Sequence, residues 1–345
     1  MYILGIETSC DETAASIIKA NYKSGQIKVL SNIISSQIAI HQKYGGVVPE
    51  IAAREHVLNI LPVINEALTA AKINYKKIDL LAITKGPGLI TSLITGVETI
   101  RSLAFAWDKP VLEINHIEGH IYSTFIDSFK SMKFPALILT VSGGHTNLVV
   151  MDKNYKIKII GETLDDAAGE AYDKGAKMLG LGYPGGPIIA EQALIYKKTK
   201  KEGALKFPRP MLNSNNFHFS FSGLKTALLY QLKKDLHWKK RIPEYCFAYQ
   251  QAIIDVLVIK TLKAAKTMKS KTIMLSGGVS ANQELKDQMA RAIKASLLKT
   301  NFLAPAKEYT TDNAAMIAAA AAFKIKKQKP ITFNKLRVDS SLQLK

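Results

Sequence analysis

The sequence predicts an α/β fold made of two related lobes that face each other across a cleft. Apolar strands alternate with amphipathic helices, which is typical of sheets covered by helices. The chain opens with an apolar strand, Tyr2 to Ile6, a polar turn and a second strand, Ala14 to Ile18, so the first sheet begins antiparallel. Strands that end in a polar or glycine turn return in the second half, which indicates a duplication.

Strands and helices continue to alternate through the first half. Pro49 favours the start of a helix, and Asp108-Lys109-Pro110 ends the next one. The predicted elements are a strand around Ile27 to Ser35, a helix from Pro49 to Ala71, a strand from Ile78 to Thr84, a helix from about Thr91 to Trp107, a strand from Val111 to Asn115 and a helix from His116 to Phe125.

A polar stretch from Asp127 to Phe134 is typical of a connector between lobes, and the strand pattern starts again after it. The elements predicted there are strands Ala136 to Ser142, Asn147 to Met151, Lys156 to Ile160 and Lys271 to Leu275, and helices Asp166 to Leu179, Ile188 to Lys198, Pro243 to Met268, Asn282 to Ala295 and Ala314 to Phe323.

Several turns are rich in glycine. The strands in Leu137 to Gly144 and Thr272 to Gly278 both end in Ser-Gly-Gly, and Glu7-Thr8-Ser9 closes the first strand in a comparable way. A glycine there lets backbone N–H groups approach an anion without a Cβ in the way. Gly86-Pro87-Gly88 and Gly185-Gly186 each precede a helix, whose N-terminus favours anions. One such turn is usually only a turn, but the set predicts a phosphate site.

The spacing of two histidines predicts a metal site. His116 and His120 lie at positions i and i+4 of a helix, one above the other, which is typical of chelation, although unligated pairs also occur. Glu118 falls on another face, which disfavours the H-E-x-x-H arrangement of a metalloprotease. Two ligands are too few, so an oxygen ligand is expected from elsewhere. Asp312, just before the last helix, is the candidate; its alternative role is a helix N-cap.

Asp11 and Glu12 occupy the first turn, close to any phosphate bound there. Beside a metal and a phosphate, such acids position a water or accept a proton from a nucleophile; in an ordinary turn they are only solvated. Covalent acyl-enzyme chemistry is disfavoured, because there is no G-x-S-x-G elbow and neither Cys10 nor Cys246 lies in a nucleophile context.

Length and composition narrow the class further. At 345 residues and 47% hydrophobic, the chain can bury the core of two lobes. It starts without the basic region of a signal peptide, and no apolar run of about 18 residues is free of charges, so no membrane span is predicted. Two distant cysteines fit a reducing compartment, and we therefore expect a cytoplasmic protein.

The charge is strongly positive, with 47 Lys plus Arg against 28 Asp plus Glu and a net charge of +19. Such a field attracts polyanions. The basic clusters are either solvated helix faces or a nucleic-acid surface, and charge alone does not separate the two. They are Lys197, Lys198, Lys200 and Lys201; Lys233, Lys234, Lys239, Lys240 and Arg241; and Lys324, Lys326, Lys327 and Lys329.

A series of motifs, in order along the chain, resembles one family. On these motifs the sequence is similar to the bacterial TsaD (Gcp, YgjD) proteins, the tRNA threonylcarbamoyladenosine transferases, within the actin/Hsp70/sugar-kinase (ASKHA) superfamily. The motifs are GIETSCDET (5–13), GGVVPE (45–50), KGPGL (85–89), HIEGH (116–120), VSGGHT (141–146), DDAAGEAYDK (165–174), YPGGP (183–187), FSFSGLKT (219–226) and SGGVSAN (276–282).

The resemblance implies an α/β, two-lobed actin-like/Hsp70-like ATPase (ASKHA) fold, with duplicated mixed β-sheets flanked by helices around a central cleft. Lobe I would comprise residues 1–126 and 305–330, with the metal ligands and the first phosphate turn. Lobe II would comprise residues 127–304, with the nucleotide and substrate turns, and residues 331–345 would form a C-terminal tail.

The implied activity is transfer of a threonylcarbamoyl group from threonylcarbamoyl-AMP to N6 of the adenosine just 3′ of the anticodon in tRNAs that read ANN codons, with release of AMP. One divalent metal, iron or zinc, would position the donor, and ATP or AMP can occupy the same site. The implied partners are tRNA, a truncated non-catalytic TsaB-like paralogue and a small TsaE-like ATPase, with no membrane.

The resemblance also assigns residues. His116, His120 and Asp312 match the metal ligands, and Asp11 or Glu12 is our hypothesis for the group that receives the N6 proton. The residues that match nucleotide and substrate contacts are Thr140, Val141, Ser142, Gly143, Gly144, Asp173, Gly186 and Asn282.

Two positions depart from relatives. Thr140 stands where archaeal and eukaryotic members have a tyrosine able to join the metal, and Ala190 cannot supply a polar contact that some members have.

Three alternatives remain. A sugar or acetate kinase would use ATP on the same turns but leave the histidine pair without a role, and a metalloprotease is disfavoured by the position of Glu118. A scaffold subunit would resemble the truncated paralogue, which lost the metal site that this chain retains.

Overall fold

The computed structural model describes residues 1–21, 24–199, 205–297 and 299–344 of the chain. The chain divides into two compact units: unit 1 is Met1–Lys130 with Pro305–Leu344, and unit 2 is Ser131–Ala304. The boundary between the units therefore follows residue 130, whereas the sequence predicted it after residue 126. The predicted tail is not separate, because its described residues, 331–344, belong to unit 1, where Leu336 is completely buried.

Each unit is built on a mixed sheet of five strands. The strands of unit 1 are β1 (Tyr2–Glu7), β2 (Glu12–Asn21), β3 (Gln26–Ser36), β4 (Leu80–Gly86) and β5 (Val111–Asn115), and those of unit 2 are β6 (Ala136–Val141), β7 (Thr146–Met151), β8 (Ile157–Glu162), β9 (Thr272–Ser276) and β10 (Asn301–Leu303).

The two sheets share one topology. Their orders are β3-β2-β1-β4-β5 and β8-β7-β6-β9-β10. In each, the first three strands along the chain pair antiparallel and the last two are parallel to the first. The predicted duplication is thus confirmed, but it pairs β1 with β6 and β4 with β9. The two Ser-Gly-Gly turns follow β6 and β9, neighbours in one sheet, and so do not represent two lobes.

Helices cover the sheets, and their predicted positions are largely confirmed. The helices Ile38–His41 and Ser222–Lys234 and the short strand β10 are additions that the sequence did not predict. No helix within the described ranges is long and apolar enough to span a membrane. The helices are α1 (Ile38–His41), α2 (Pro49–Ala71), α3 (Ile90–Trp107), α4 (His116–Ser123), α5 (Phe125–Ser128), α6 (Ala168–Met178), α7 (Gly185–Lys198), α8 (Ser222–Lys234), α9 (Ile242–Thr267), α10 (Gln283–Ser296) and α11 (Ala314–Lys324).

The alanine-rich helix α11 lies in the core of unit 1, with residues 314–322 all buried. It approaches β1 closely at Gly5, where a Cβ would lie 2.5 Å from the Ala314 carbonyl oxygen and 2.9 Å from the Ala318 Cβ. Small residues on both elements permit this approach. The contact fixes the start of α11, and hence Asp312, relative to the first strand.

Candidate metal site and glycine turns

Helix α4 begins where β5 ends and carries both histidines of the predicted pair. Asn115 caps it, because its Oδ1 accepts hydrogen bonds from the backbone N–H groups of Ile117 at 2.8 Å and Glu118 at 3.3 Å. The rings of His116 and His120 lie edge to face, with centroids 4.7 Å apart and an interplanar angle of 79°. His116 is 7% exposed and His120 is completely buried.

Asp312 joins the two histidines from the segment before α11. Its Oδ1 lies 3.1 Å from His120 Nε2 and 3.6 Å from His116 Nε2. The three side chains can offer ligand atoms that all lie within 4.8 Å of one another. The N-cap of α11 is Asn313, whose side chain accepts from Met316 N. Asp312 therefore does not take the alternative role of the helix cap.

The environment of His120 fits a metal ion. Both ring nitrogens are buried and neither makes a hydrogen bond in the described part of the chain, although Asp312 is near. A buried polar atom without a partner costs about 1–3 kcal/mol. An ion ligated by one of these nitrogens would remove that cost, and two imidazoles with one carboxylate are ligands that iron(II) and zinc accept.

His116 is held from its other ring nitrogen. Nδ1 lies 3.0 Å from Ser9 Oγ and 3.1 Å from Glu7 Oε2. The Glu7 carboxylate is itself fixed, because it accepts hydrogen bonds from Ser9 N at 2.5 Å and Thr84 Oγ1 at 2.7 Å. A carboxylate behind a ligating histidine sets its tautomer and leaves Nε2 for the ion.

The sequence placed Glu7 and Ser9 in a predicted phosphate turn and did not predict their contact with His116. The only signal was their position at the end of the first strand, in the GIETS motif.

The charges around the site perturb its pKa values. Burial lowers the pKa of His116, but the charges of Asp312 and Glu7 outweigh this and raise that pKa to about 9. Burial also raises the pKa of Glu7, yet the interactions with His116 leave it below its ordinary value. The ion pair of Glu7 with His116 is thus the favoured state in the absence of a metal.

Asp11 and Glu12 lie just after β1, as predicted, and interact with the same site. Burial, followed by the negative charges of Asp312 and Asp11, raises the pKa of Glu12 well above its ordinary value. Glu12 is also hydrogen-bonded to Asp11, which is 7% exposed. The two acids therefore share a hydrogen bond beside the negative charge of Asp312.

Glu118 has a structural partner. It is 8% exposed and forms a close ion pair with Lys324 at the end of α11. This pair joins α4, which carries both histidines, to α11, which follows Asp312, and it engages the carboxylate of the metalloprotease alternative.

Most of the residues predicted to contact a nucleotide lie at strand ends in unit 2. Thr140 and Val141 are completely buried in β6, and Thr140 Oγ1 is bonded to Ser276 Oγ at 2.9 Å. After them Gly143 and Gly144 are exposed, and a Cβ at either would meet no atom within 4 Å. Ser142 is less free, because its carbonyl oxygen accepts from Gly169 N at the start of α6.

Other residues of the predicted set join these elements to one another. Asp173 on α6 accepts a hydrogen bond from Gly185 N, 2.7 Å away, at the start of α7. The neighbouring Gly186 has open space where a Cβ would lie. Asn282 caps α10 through Leu285 N and donates to Gln250 Oε1 at 2.8 Å. The side chains of Asn282 and Thr140 are thus hydrogen-bonded to other protein groups. Among the described residues, open space lies beside Gly143, Gly144 and Gly186.

The turn Gly86-Pro87-Gly88 differs from the expectation of an anion site. Its Gly88 N–H donates to Ser340 O at 3.3 Å, and the next amide, of Leu89, donates to Ser9 O at 2.8 Å. These two amides bind the protein's own carbonyl groups, so this turn is a packing element.

The fold has solved counterparts. A HypF structure from T. kodakarensis aligns with 94% of this chain and 48% of that one, at a TM-score of 0.63 and 12% identity. The activator of the 2-hydroxyisocaproyl-CoA dehydratase from Clostridium difficile, solved with bound ADPNP, aligns over 96% and 99% of the two chains at a TM-score of 0.52 and 14% identity. At such identities the likeness concerns the fold alone, and it agrees with the α/β architecture of two mixed five-stranded sheets flanked by helices.

Sequence comparison gives the family. The model of TsaD, described as tRNA N6-adenosine threonylcarbamoyltransferase, matches residues 28–319. A protein of that name from Syntrophomonas wolfei is 48% identical over 92% of this chain and 91% of its own length, and one from Thermosipho melanesiensis is 47% identical over 93% and 94%. The chain belongs to the TsaD family and is a transferase.

Proposed function

We propose that the chain moves the threonylcarbamoyl group of threonylcarbamoyl-AMP to N6 of the adenosine just 3′ of the anticodon in tRNAs that read ANN codons, and releases AMP. The observation that carries the proposal is the match to the family over residues 28–319, whose name states the group and the acceptor atom. That name does not state the donor, so threonylcarbamoyl-AMP is a further part of the proposal.

In this proposal His116, His120 and Asp312 hold one divalent ion, iron or zinc. When bound, such an ion supplies Lewis-acid polarisation of a phosphate or carbamoyl oxygen. The buried ring nitrogens of His120, which make no hydrogen bond among the described residues, support the assignment. Glu7 and Ser9 keep the Nε2 lone pair of His116 directed at the ion by holding Nδ1.

The adenylate part of the donor would bind on unit 2. Backbone N–H groups at the exposed Gly143 and Gly144 can approach a phosphate, and Gly186 offers open space at the start of α7. The C. difficile activator and a full-length HypF, which share the fold, were solved with bound nucleotide, and this supports a nucleotide site in the chain. Thr140 and Asn282 would shape the site through their own hydrogen bonds.

The acceptor N6 is a poor nucleophile, and a general base assists it by taking its proton as N6 bonds to the carbamoyl carbon and AMP leaves. The acids proposed to receive this proton are Asp11 and Glu12; burial and the negative charges of Asp312 and Asp11 raise the pKa of Glu12. In this proposal the hydrogen bond between Asp11 and Glu12 orients the carboxylate that takes the proton.

Binding of tRNA would use basic residues of unit 2. Lys233, Lys234, Lys239 and Lys240 are exposed, and none has an acidic partner within ion-pair distance among the described residues. The other basic cluster of unit 2, which begins at Lys197, is less suitable, because Lys197 is paired with Glu284 at 2.6 Å. Lys200 and Lys201 lie outside the described residues.

The truncated TsaB-like paralogue and the small TsaE-like ATPase are the proposed protein partners. An apolar surface on α2 supports a protein contact, since Val57, Leu58 and Leu61 are 64%, 68% and 60% exposed. Large apolar side chains that cluster on one exposed helix face are typical of interaction sites.

The direct test is to incubate the chain with threonylcarbamoyl-AMP and unmodified tRNA and to measure the modified nucleoside by mass spectrometry. We expect product from the wild-type chain, alone or with both partners, and at least a 100-fold lower rate from Asp11→Asn with metal content unchanged. Absence of product with both partners present would contradict the proposal. Sugar phosphorylation or casein cleavage would favour a kinase or a protease instead.

A further inference from the structure

The C-terminal residues 339–343, which we call the C-terminal strap, lie beside the strand ends that lead to the candidate metal site. Asp339 N donates to Lys85 O at 3.0 Å, and Ser340 O accepts from Gly88 N at 3.3 Å. Farther along, the carbonyl oxygens of Leu342 and Gln343 lie 3.5 and 3.3 Å from Asn115 Nδ2. The strap thus contacts the ends of both β4 and β5.

Asn115 connects the strap to the first ligand. It is 7% exposed and immediately precedes His116. Its oxygen accepts from the first N–H groups of α4, and its amide nitrogen faces the two strap carbonyls. Only this orientation of the side-chain amide satisfies both sides, since the backbone N–H groups need an acceptor and the carbonyls need a donor. The strap therefore fixes the amide that caps the metal-bearing helix.

A second contact reaches the same histidine. A Cβ at Gly86 would overlap the Asp339 carbonyl, and one at Gly88 would lie 2.5 Å from Ser9 O. The turn 86–88 is therefore packed between the strap and Ser9. Ser9 Oγ in turn lies 3.0 Å from His116 Nδ1.

We propose that the C-terminal strap is a positioning element of the metal site: it holds His116 in its ligating orientation through Asn115 on one side and the turn 86–88 with Ser9 on the other. The proposal rests on the proposed function in so far as His116, His120 and Asp312 bind a metal. Without the strap, Asn115 loses its carbonyl partners and the start of α4 can turn away from Asp312.

The test compares Asn115→Asp with wild type. Aspartate keeps the oxygen that caps α4 but loses the amide donor and places a carboxylate against the two strap carbonyls. The probe is Zn²⁺ from zinc chloride, added to the metal-stripped full chain in competition with a chromophoric chelator. We expect about a tenfold weaker affinity for Zn²⁺, although the added negative charge by itself would attract the cation. Trypsin should also cleave faster after Arg337, as the strap loosens.

Two further variants complete the test. Gln343→Ala is the matched control, because its strap contact uses the backbone carbonyl, and it should bind Zn²⁺ as wild type does. A chain truncated after Val338 should lose at least as much Zn²⁺ affinity as Asn115→Asp does. Circular dichroism checks that the truncated chain is folded.

The outcomes separate the strap from the metal site. His120→Ala serves to show that Zn²⁺ binds at the proposed site, because that variant should lose binding. If it does, and Asn115→Asp still binds Zn²⁺ with wild-type affinity, the role of the strap is overturned and the proposed function stands. Absence of Zn²⁺ binding in the wild type would overturn both the strap and the metal part of the proposed function.

Discussion

At the scale of single residues, His116 is held from both sides of its ring. Nδ1 faces Glu7 and Ser9, and Nε2 faces Asp312. Proton and metal compete for this imidazole, because its neighbours raise its pKa to about 9 and a ligating histidine must be neutral at Nε2. Glu7 reduces the conflict, since it can retain the proton on Nδ1 while Nε2 binds the ion.

We expect Glu7→Gln to weaken Zn²⁺ binding by about 10- to 100-fold. Glutamine fills the same volume but lacks the charge that holds the Nδ1 proton of His116. Zn²⁺ affinity of the metal-stripped chain, measured by chelator competition, gives the result directly. The control is Glu50→Gln, at an exposed carboxylate paired with Arg54. Equal affinities for Glu7→Gln and the control would show that Glu7 does not support the ligand.

Sequence reasoning found part of this site. The spacing of His116 and His120 is local and therefore visible in the chain, whereas Asp312 was chosen as the third ligand only through its place before a helix and the family resemblance. Glu7 was missed as a partner of His116 because the two lie 109 residues apart and are brought together only by the neighbouring strands β1, β4 and β5.

At the scale of elements, helix α8 shows why sequence patterns can fail. Its N-cap, Phe221, offers no side-chain cap. Asp165 caps it instead from 56 residues away, accepting from Phe221 N at 2.8 Å and from Ser222 N at 3.2 Å. The hydroxyl groups of Ser220 and Ser222 donate to the same carboxylate. A start signal supplied from so far upstream cannot be read from the helix itself.

We expect Asp165→Asn to lower the free energy of unfolding by about 1 kcal/mol at neutral pH, since an amide cannot accept all four hydrogen bonds. Burial raises the pKa of Asp165, but the bonds from Ser220, Ser222 and the backbone outweigh this and lower it below 3.8. A lowered pKa stabilises the folded state above the unfolded-state value, and that contribution disappears as the pH falls through the folded-state value.

Urea denaturation at a series of pH values checks this prediction. The difference between wild type and Asp165→Asn should be constant above about pH 5 and shrink below the ordinary aspartate pKa of 3.8. Asp287→Asn, at a carboxylate that accepts from Gln283 Nε2, is the control and should show a smaller effect. A difference that grows at low pH would contradict the assigned role of Asp165.

Elements with local signals were predicted closely. Helix α2 and strand β5 have the predicted bounds, because a proline starts the first and a proline precedes the second. Strand β10 was missed because it has three residues and pairs only at the edge of its sheet.

At the scale of the whole molecule, the duplication was visible but its register was not. The sequence pairs the two Ser-Gly-Gly turns, whereas the topology pairs β1 with β6 and β4 with β9. The two Ser-Gly-Gly sequences are similar because both follow neighbouring parallel strands of one sheet. Their similarity therefore does not identify equivalent positions in the two units. Strand order, which depends on pairing across the chain, is needed for that.

The chain has a net charge of +19, and the lysines without an acidic partner among the described residues define a surface that can be tested for tRNA binding. Lys233 and Lys234 end α8, and Lys239 and Lys240 follow Trp238, whose ring centre lies 5.9 Å from Lys239 Nζ. Exposed cations beside an aromatic ring suit both the phosphates and the bases of a nucleic acid.

We expect alanine at these four lysines to weaken tRNA binding and to reduce its dependence on salt. Each lysine that contacts a phosphate releases about one counterion, so its loss should lower the slope of log K against log salt concentration by about 1. Filter binding at several salt concentrations measures both quantities. Lys197→Ala is the matched control, because Glu284 already neutralises that cation. If the quadruple variant binds tRNA with wild-type affinity and slope, the tRNA surface lies elsewhere on the chain.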